Sequence, residues 1–445
     1  MATSRNVKNR RRKKKRRIKK GLLVIELTIF ILIVTTIAAF AMPNSKARML
    51  KLLTKTSVGR QIVSMFGEED FNKNVLNSDF KRSEIKTSSN KFSSEKYINI
   101  ALFGIDPRDG EFSSTTHTDS IIIVTVNTLT SEIRLTSVFR DTLLRMPNSD
   151  KEQVLSKANN AYFWGGPEEA INVLNENLDL DIKDYATVNF AGLATIIDSL
   201  GGIDITITEH ERLRMNDYLI ENRKVTGMSS PDVKKIGNIH VNGLQATAYC
   251  RNRYSEYTAP DGTVYKDDYG RTARQRFVLT QIFNKAQTAG TDKIISMAKT
   301  LLENDTLNGD KIMETSLSWD TIMDLIPIAM ECSLGETQGF PYDKYTPDDK
   351  NNDYYGFVVP VGLEQNVIQL QQSLFPDESY SPSTVLRSIS KEIINESGVE
   401  PDEEEETEKY TESYNKYSVN STSDDDDDDN YDISNDGANT YYEEN

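Results

Sequence analysis

Apolar runs and helix-like patterns alternate along residues 97–290 of this chain. Tyr97 to Phe103 and Ser120 to Val126 are apolar and rich in β-branched residues, which predicts two buried strands. Glu132 to Val138 alternates polar and apolar residues, as a half-exposed strand does. The same reading predicts helices over Pro167 to Leu178, Phe190 to Leu200, Asn242 to Cys250 and Ala273 to Lys285, and a strand over Ile203 to Thr208. Strands alternating with helices predict a layered α/β domain.

The segments on either side of this domain have different compositions. Ala47 to Met65 reads as helical, and a linker rich in Ser, Lys and Asn follows it. After about residue 290 the pattern is mostly helical, with one late strand near Phe357 to Val361. We therefore expect a basic tail (1–20), a transmembrane helix (21–42), a juxtamembrane linker (43–95), a catalytic domain (96–290), a helical extension packed on it or following it (291–390) and an acidic disordered tail (391–445).

The N-terminal region has the pattern of a membrane anchor. Gly21 to Met42 is a run of 22 residues with one charge, Glu26, and about 33 Å of helix matches a hydrocarbon core of about 30 Å. Residues 1–20 hold twelve Lys or Arg and no acid, which places the N-terminus in the cytoplasm and the domain outside it. Ala39-Phe40-Ala41 resembles a cleavage site, so cleavage after Ala41 stays open as the alternative to a retained anchor.

The net charge and the numbers of cysteines and histidines exclude some classes of protein and of metal site. The net charge is -16, but residues 391–445 hold twenty acids against three Lys, so the part between the two ends carries an ordinary -11. Two cysteines, Cys250 and Cys332, exclude a disulfide scaffold. We expect two buried thiols, with a single bridge as the alternative. Three histidines exclude a His-rich zinc site, so a metal here would take oxygen ligands.

Charged residues concentrate where the predicted strands and helices end. Asp106 follows one strand and Asp119 begins the next, so the two carboxylates converge if those strands pair. Five Arg lie between Arg251 and Arg276, and guanidinium groups hold phosphate oxygens bidentately. Two carboxylates with phosphate oxygens suit Mg²⁺. An acidic pair facing many arginines is the arrangement expected for phosphoryl transfer.

Seven ordered blocks together resemble the LytR-CpsA-Psr family of bacterial cell-envelope proteins, over about Tyr97 to Lys285. The blocks are Leu102-Phe103-Gly104-Ile105-Asp106-Pro107-Arg108, Thr118-Asp119-Ser120, Ser137-Val138-Phe139-Arg140-Asp141-Thr142, Lys157-Ala158-Asn159-Asn160-Ala161-Tyr162 with Gly165-Gly166, Ile197-Asp198-Ser199-Leu200-Gly201-Gly202-Ile203, Asn242-Gly243-Leu244-Gln245-Ala246 leading to Arg251-Asn252-Arg253, and Asp268-Tyr269-Gly270-Arg271 with Arg274-Gln275. The resemblance implies an α/β/α domain with a central mixed β-sheet. It also implies a phosphotransferase that moves a glycopolymer, teichoic acid or capsular polysaccharide, from an undecaprenyl-pyrophosphate carrier to peptidoglycan.

The resemblance also implies roles for particular residues. Asp106 and Asp119 would hold Mg²⁺, with Mn²⁺ as an alternative, and Arg140, Arg251 and Arg253 would complete the catalytic set by gripping the pyrophosphate. The rest of the pyrophosphate surround would be Arg108, Lys157, Asp268, Arg271, Arg274 and Gln275. The general base stays open between Asp268 and a magnesium-ligating carboxylate.

The chain departs from the family pattern at three positions. Phe139 replaces a usual Pro, His117 stands where an Arg is common, and the block before Lys157 is less standard. Two other functions stay open. One is an envelope-related transcriptional regulator, although the basic block contains no base-reading motif. The other is a scaffold that binds a polyprenyl phosphate without turning it over.

Overall fold

The computed structural model describes residues 76–88, 96–106, 116–289, 311–318 and 331–401, with a few single positions between 293 and 329. By internal contacts the chain divides into two units, Met1–Val399 and Glu400–Asn445. Every helix and strand named below belongs to the first unit. Within the described ranges, no helix combines the length and the apolar character that a membrane span requires. The predicted anchor, the helical stretch near residues 47–65, most of the linker and most of the acidic tail lie outside these ranges.

The described elements alternate between strands and helices. In chain order they are β1 (Tyr97–Ile105), β2 (Thr118–Asn127), β3 (Glu132–Val138), β4 (Leu143–Pro147), β5 (Gln153–Lys157), α1 (Asn159–Leu178), β6 (Asp184–Val188), α2 (Phe190–Ser199), β7 (Ile203–Ile207), α3 (Glu209–Thr226), β8 (Gly237–Val241), α4 (Gly243–Arg251), β9 (Tyr257–Thr258), β10 (Val264–Tyr265), α5 (Asp267–Thr288), β11 (Met313–Thr315), β12 (Ser333–Phe340), β13 (Lys344–Tyr345), β14 (Val359–Pro360), α6 (Leu363–Leu374) and α7 (Thr384–Ser397).

A six-stranded mixed sheet forms the centre of the domain, in the order β11-β6-β1-β2-β3-β12. β2 is antiparallel to both β1 and β3, whereas β6 runs parallel to β1 and β12 runs parallel to β3. Three of the segments predicted as strands, Tyr97–Phe103, Ser120–Val126 and Glu132–Val138, are therefore the neighbouring strands β1, β2 and β3. The prediction of a mixed α/β domain with a central mixed sheet is confirmed.

The two faces of the sheet carry different layers, because successive strand residues point to opposite sides. Phe103 and Ile123 face a core that includes Tyr162 and Leu174 of α1 and residues of α6 and α7. Ile122 lies in a separate cluster on the other face, where side chains of α5 pack. A third cluster joins α2, α3 and α4 with β7 and β8. A cavity lies between the sheet and helices α2, α4 and α5.

Capping residues explain where three of these helices begin. Asn189 accepts a hydrogen bond from the Gly192 N–H at the start of α2. Thr208 and Glu211 form a reciprocal capping box at the start of α3, and Asn242 and Gln245 form another for α4. Such boxes satisfy backbone N–H groups that have no partner within the helix. Helix α3 was not predicted, although Thr208-Glu209-His210-Glu211 carries the spacing that signals a helix start.

Helix α1 is longer than predicted and is broken in the middle. It begins at Asn159 rather than at Pro167, and Gly165 and Gly166 have non-helical backbone angles, with Gly166 at φ 65°. Pro167 then begins the second part, where its missing N–H costs nothing because that position needs no partner. The prediction from Pro167 onward therefore found only the second part of this helix.

The segment after residue 290 adds two strands to the central sheet and also packs helices against it. β11 pairs with β6 and β12 pairs with β3, so this segment supplies both edge strands. The expectation of a mostly helical extension needs this correction. Helix α7 continues to Ser397 because Leu386, Ile389 and Ile393 are buried, so residues 391–397 do not belong to a disordered tail. Cys250 and Cys332 are both free and buried, as expected.

Candidate functional site

A cavity of about 750 Å³ opens between the sheet and helices α2, α4 and α5. One set of lining residues is charged or polar, and it contains Asp106, Asp119, Arg140, Arg251, Arg253, Arg271 and Gln275. Another set is mainly apolar, and it contains Leu102, Ile122, Val188, Phe190, Leu193, Cys250, Val278, Leu279 and Ile282. A ligand that fills this cavity must therefore be anionic in one part and hydrocarbon-like in another.

The acidic part of the cavity comes from one edge of the sheet. β1 and β2 are antiparallel, with Ile105 opposite Thr118 and an irregularity after Gly104. This register puts Asp106, just past the end of β1, beside Asp119 near the start of β2. Both side chains line the cavity. The predicted pairing of these strands is therefore observed, and the two aspartates line the same cavity.

Asp119 is the centre of a group of charges at this edge. Its carboxylate accepts a short hydrogen bond from Arg140, which follows β3. The Nη1 atom of Arg271, on α5, lies 3.6 Å from the same carboxylate. Arg271 also pairs with Asp268 one helical turn earlier, with 2.8 Å between Nη2 and Oδ1. Burial raises the pKa of Asp268, and the guanidinium groups of Arg271 and Arg140 oppose that rise.

Hydrogen bonds and ring stacking hold the Arg251 guanidinium in one orientation. Its residue type and its position in the sequence did not predict these contacts. Its Nη1 donates to the Asn222 Oδ1 at 2.6 Å, and its Nη2 donates to the Glu221 Oε2 at 2.8 Å. The guanidinium lies over the rings of Phe190 and Tyr218, at 4.5 and 5.2 Å from their centres. Planar stacking and a rigid fork of donors fix its orientation. Arg251 therefore points at the cavity in a preset position.

Asp106 lies close to Arg251 in the lining of the cavity. The Arg251 Nη2 lies 3.7 Å from the Asp106 Oδ2. The side chain of Asp106 is only 13% exposed, so its charge is weakly screened by solvent. The cavity therefore presents two acid–arginine pairs, Asp119 with Arg140 and Asp106 with Arg251.

Arg253 and His117 lie at the more exposed part of the cavity. Arg253 donates weakly to the Tyr254 hydroxyl, at 3.4 Å. His117 stacks in parallel on Phe163, with 4.4 Å between ring centres. Burial, and then the nearby Arg140 guanidinium, lower the pKa of His117. A neutral imidazole here replaces the positive charge that an Arg would bring.

Among the described residues, three members of the predicted pyrophosphate surround, Lys157, Asp268 and Arg274, do not line the cavity. Arg108 lies outside the described ranges. Lys157 lies behind the cavity, 3.0 Å from the Asp141 Oδ1. Arg274 is fully buried: it pairs with Glu211 at 2.7 Å and also donates to the backbone carbonyls of Asn252, Ser255 and Glu256. With its side chain 0% exposed, Arg274 is not available to a ligand in the cavity. Arg271 and Gln275 do line the cavity, as predicted.

The predicted metal pair suits a hard divalent cation by its chemistry. Asp106 and Asp119 are carboxylates that line the same cavity. Within the described part of the chain, no group of three or more His, Cys, Asp or Glu side chains could hold a metal ion. Two carboxylates alone would leave most of an octahedral shell to phosphate oxygens and water, and Mg²⁺ accepts such a shell. The residues therefore fit Mg²⁺ as the companion of a bound phosphate.

Sequence reasoning missed the residues that orient Arg251. Tyr218, Glu221 and Asn222 all belong to α3, and Phe190 begins α2. The capping box at Thr208 could have revealed α3. Nothing in the spacing indicates that this helix packs against α4, about thirty residues farther along the chain, because that is a tertiary contact.

Two curated proteins are similar in sequence to this chain. It is 34% identical over 203 residues to "Biofilm regulatory protein A" of Streptococcus mutans, covering 43% of this chain and 44% of that protein. It is 29% identical over 233 residues to "Polyisoprenyl-teichoic acid--peptidoglycan teichoic acid transferase TagU" of Enterococcus faecalis, covering 52% and 65%. The chain thus spans about half to two thirds of the length of these curated relatives.

A solved structure and a family model give the remaining comparisons. The crystal structure of protein gbs0355 from Streptococcus agalactiae is 24% identical, with a TM-score of 0.49, covering 67% of this chain and 95% of that one. The LytR_cpsA_psr family model matches residues 64–323, which is more than half of the chain. The family predicted from the seven ordered blocks is therefore confirmed, and this chain belongs to the LytR_cpsA_psr family.

Proposed function

We propose that this protein is an extracytoplasmic phosphotransferase that attaches an undecaprenyl-pyrophosphate-linked glycopolymer to peptidoglycan. The polymer would be a teichoic acid or a capsular polysaccharide. The observation that carries the proposal is the cavity of about 750 Å³ lined by arginines and aspartates in one part and by apolar side chains in another. A prenyl pyrophosphate has the same division between anionic head and hydrocarbon tail. A relative described as a polyisoprenyl-teichoic acid–peptidoglycan teichoic acid transferase supports the same substrate class.

The arginines are the groups that would bind the pyrophosphate. Arg140, Arg251 and Arg271 line one cavity with their guanidinium groups already oriented by carboxylates or aromatic rings. In the proposed reaction an acceptor hydroxyl attacks the sugar-side phosphorus, a new P–O bond forms, and the bond to the bridging oxygen breaks. Undecaprenyl phosphate leaves with the electron pair. Preoriented donors stabilise the charge that develops on the phosphate oxygens during this exchange.

We include Mg²⁺, with Mn²⁺ as the alternative, as the metal that Asp106 and Asp119 would hold. Such an ion, when bound, neutralises phosphate charge and favours departure of the leaving group. Asp119 also orients Arg140 through their shared hydrogen bond. The proton of the attacking hydroxyl needs an acceptor, for which Asp268, paired with the cavity residue Arg271, and a magnesium-ligating carboxylate are the two candidates.

We also propose a location for the protein in the cell membrane. Residues 21–42 would span the bilayer once, with residues 1–20 in the cytoplasm and the domain outside. Tethering would keep the enzyme in the same bilayer as its lipid-linked donor, which raises their effective concentration.

The test is a turnover assay on the full-length protein in lipid nanodiscs. A prenyl-pyrophosphate-linked glycan serves as donor, a peptidoglycan fragment serves as acceptor, and released prenyl phosphate is measured with and without Mg²⁺. We expect metal-dependent release that Asp119→Ala and Arg251→Ala abolish and that Lys350→Met, a change at an exposed loop position, leaves intact. Unchanged turnover in Asp119→Ala or Arg251→Ala would show that the site is assigned wrongly. Tight donor binding without any turnover would instead indicate a scaffold.

A further inference from the structure

Lys157, at the end of β5, lies behind the arginines of the cavity rather than among them. Its ammonium group is 3.0 Å from the Asp141 Oδ1 and donates to the Gly356 carbonyl oxygen at 2.8 Å. It also lies 4.9 Å from the centre of the Phe357 ring. Three partners thus hold the end of this long side chain. The cavity lining does not include it.

Asp141 connects Lys157 to the cavity. Its second oxygen, Oδ2, is 3.5 Å from the Arg140 Nε. The far side of the same guanidinium reaches Asp119, which lines the cavity. Positive and negative charges therefore alternate from Lys157 through Asp141 and Arg140 to Asp119. Arg140 is held by one carboxylate on the cavity side and by another behind it.

Two of the three partners of Lys157, Gly356 and Phe357, come from a segment beyond the residues matched by the family model, which end at 323. We call residues 356–358 the strap. The Val358 N–H donates to the Asp141 carbonyl at 2.8 Å, and the Leu143 N–H donates to the Val358 carbonyl at 2.9 Å. Gly356 has φ +74°, a conformation that favours glycine. The strap therefore fixes both the backbone around Asp141 and the ammonium group of Lys157.

We infer that Lys157 is a positioning residue that acts on Arg140 through Asp141, and that the strap is a working part of the active site. This inference rests on the proposed function, because it concerns how Arg140 meets a pyrophosphate. With Lys157 present, one Asp141 oxygen forms an ion pair with the ammonium group at 3.0 Å. Without it, both oxygens are available to Arg140, and a bidentate pair draws the guanidinium away from Asp119 and the cavity.

A double-mutant cycle tests this directly, because residues that act through a shared partner give non-additive effects. The full-length protein in nanodiscs is titrated calorimetrically with geranylgeranyl pyrophosphate, a short soluble probe. We expect Lys157→Met to weaken binding by about tenfold in the wild-type background. In an Asp141→Asn background the same change should cost less than about twofold. Lys157→Arg should restore most of the affinity, and Lys350→Met, on the same loop as the strap, should have no effect.

Two results would overturn the inference. Equal losses from Lys157→Met in both backgrounds would mean that Lys157 touches the ligand itself. No loss in the wild-type background would mean that Lys157 has no role. Turnover gives a second readout: a positioning role predicts a lower kcat in Lys157→Met and recovery in Lys157→Arg, which loss of folding alone does not predict. Failure of the proposed function would look different: either no variant, including the wild type, would release prenyl phosphate, or Arg251→Ala would leave probe binding unchanged.

Discussion

Glu211 and Arg274 form an ion pair that is almost completely removed from water. The side chain of Arg274 is 0% exposed and that of Glu211 is 6% exposed, with 2.7 Å between Nη2 and Oε1. Arg274 also donates to three backbone carbonyls in the turn after α4, the turn that carries Arg253. Glu211 in turn accepts from the Thr208 N–H with its other oxygen, at 2.8 Å. The pair thus joins the start of α3 to the turn that presents arginines to the cavity.

We predict that Glu211→Gln destabilises the folded protein by about 3–5 kcal/mol, the cost of leaving a buried charge without its partner. Glutamine has the same shape and can still cap α3 through its amide oxygen. Its NH₂ group then faces the Arg274 guanidinium, where two donors meet and no acceptor remains. Such a loss is a large fraction of the 5–15 kcal/mol that typically stabilises a folded protein, on the order of a third.

The assay is urea unfolding followed by tryptophan fluorescence and circular dichroism. With a slope of about 3 kcal/mol/M, the expected loss lowers the midpoint by about 1–2 M. Glu209→Gln is the matched control on the same helix, because Glu209 pairs with Arg212 at the surface and surface pairs contribute little. The double change Glu211→Leu with Arg274→Met should recover only part of the loss, since three carbonyls still lack their donor. Midpoints shifted equally little in Glu211→Gln and Glu209→Gln would refute this reasoning.

Two substitutions and one measurement of thiol reactivity test other parts of this geometry. Arg251→Lys should weaken geranylgeranyl pyrophosphate binding by about tenfold in calorimetry, because a single ammonium group cannot replace the stacked fork; unchanged affinity would contradict a preset guanidinium. Gly243→Ala should destabilise the protein by about 1–3 kcal/mol in urea unfolding, because an added Cβ collides with the Ala194 backbone oxygen of α2; a neutral result would mean that α2 and α4 can separate freely. Burial raises the pKa of Cys250 to about 12 and that of Cys332 to about 11. Both thiols should therefore stay protonated and react slowly with a disulfide reagent at pH 8, faster as the pH rises toward those values. A bound prenyl pyrophosphate should further slow only Cys250, which lines the cavity; rapid labelling of the folded protein at pH 8 would contradict this.

The sequence was most informative where short-range patterns decide the structure. β-Branched apolar runs predicted β1 and β2, and the alternation of polar and apolar residues predicted β3 with its observed bounds. Asp106 and Asp119 could be paired in advance because each adjoins one of two neighbouring strands. The end of α2 near Leu200 and the start of α4 at Asn242 were predicted for the same reason. In each case the deciding residues lie within a few positions of the feature they determine.

Residue type alone was a poor guide to the roles of the basic residues. Arg271 and Arg274 are three positions apart on α5, yet Arg271 reaches the cavity and Arg274 is buried against Glu211. Both arginines match the family motif equally well. Only the packing of α3 and of the turn after α4 against α5 separates a candidate ligand from a structural ion pair.

The sequence by itself determined the α/β class, the central strands and the acidic edge of the site, because strand and helix periodicity and capping are local. The tertiary structure alone decided how Arg251 is oriented by α3, that Lys157 lies behind Asp141, and that a segment after residue 330 completes the sheet and supports Arg140. These outcomes depend on contacts between residues from 16 positions apart, as with Lys157 and Asp141, to 199 positions apart, as with Lys157 and Gly356. Such contacts are set by how whole layers pack, and no pattern within a single stretch of the chain encodes them.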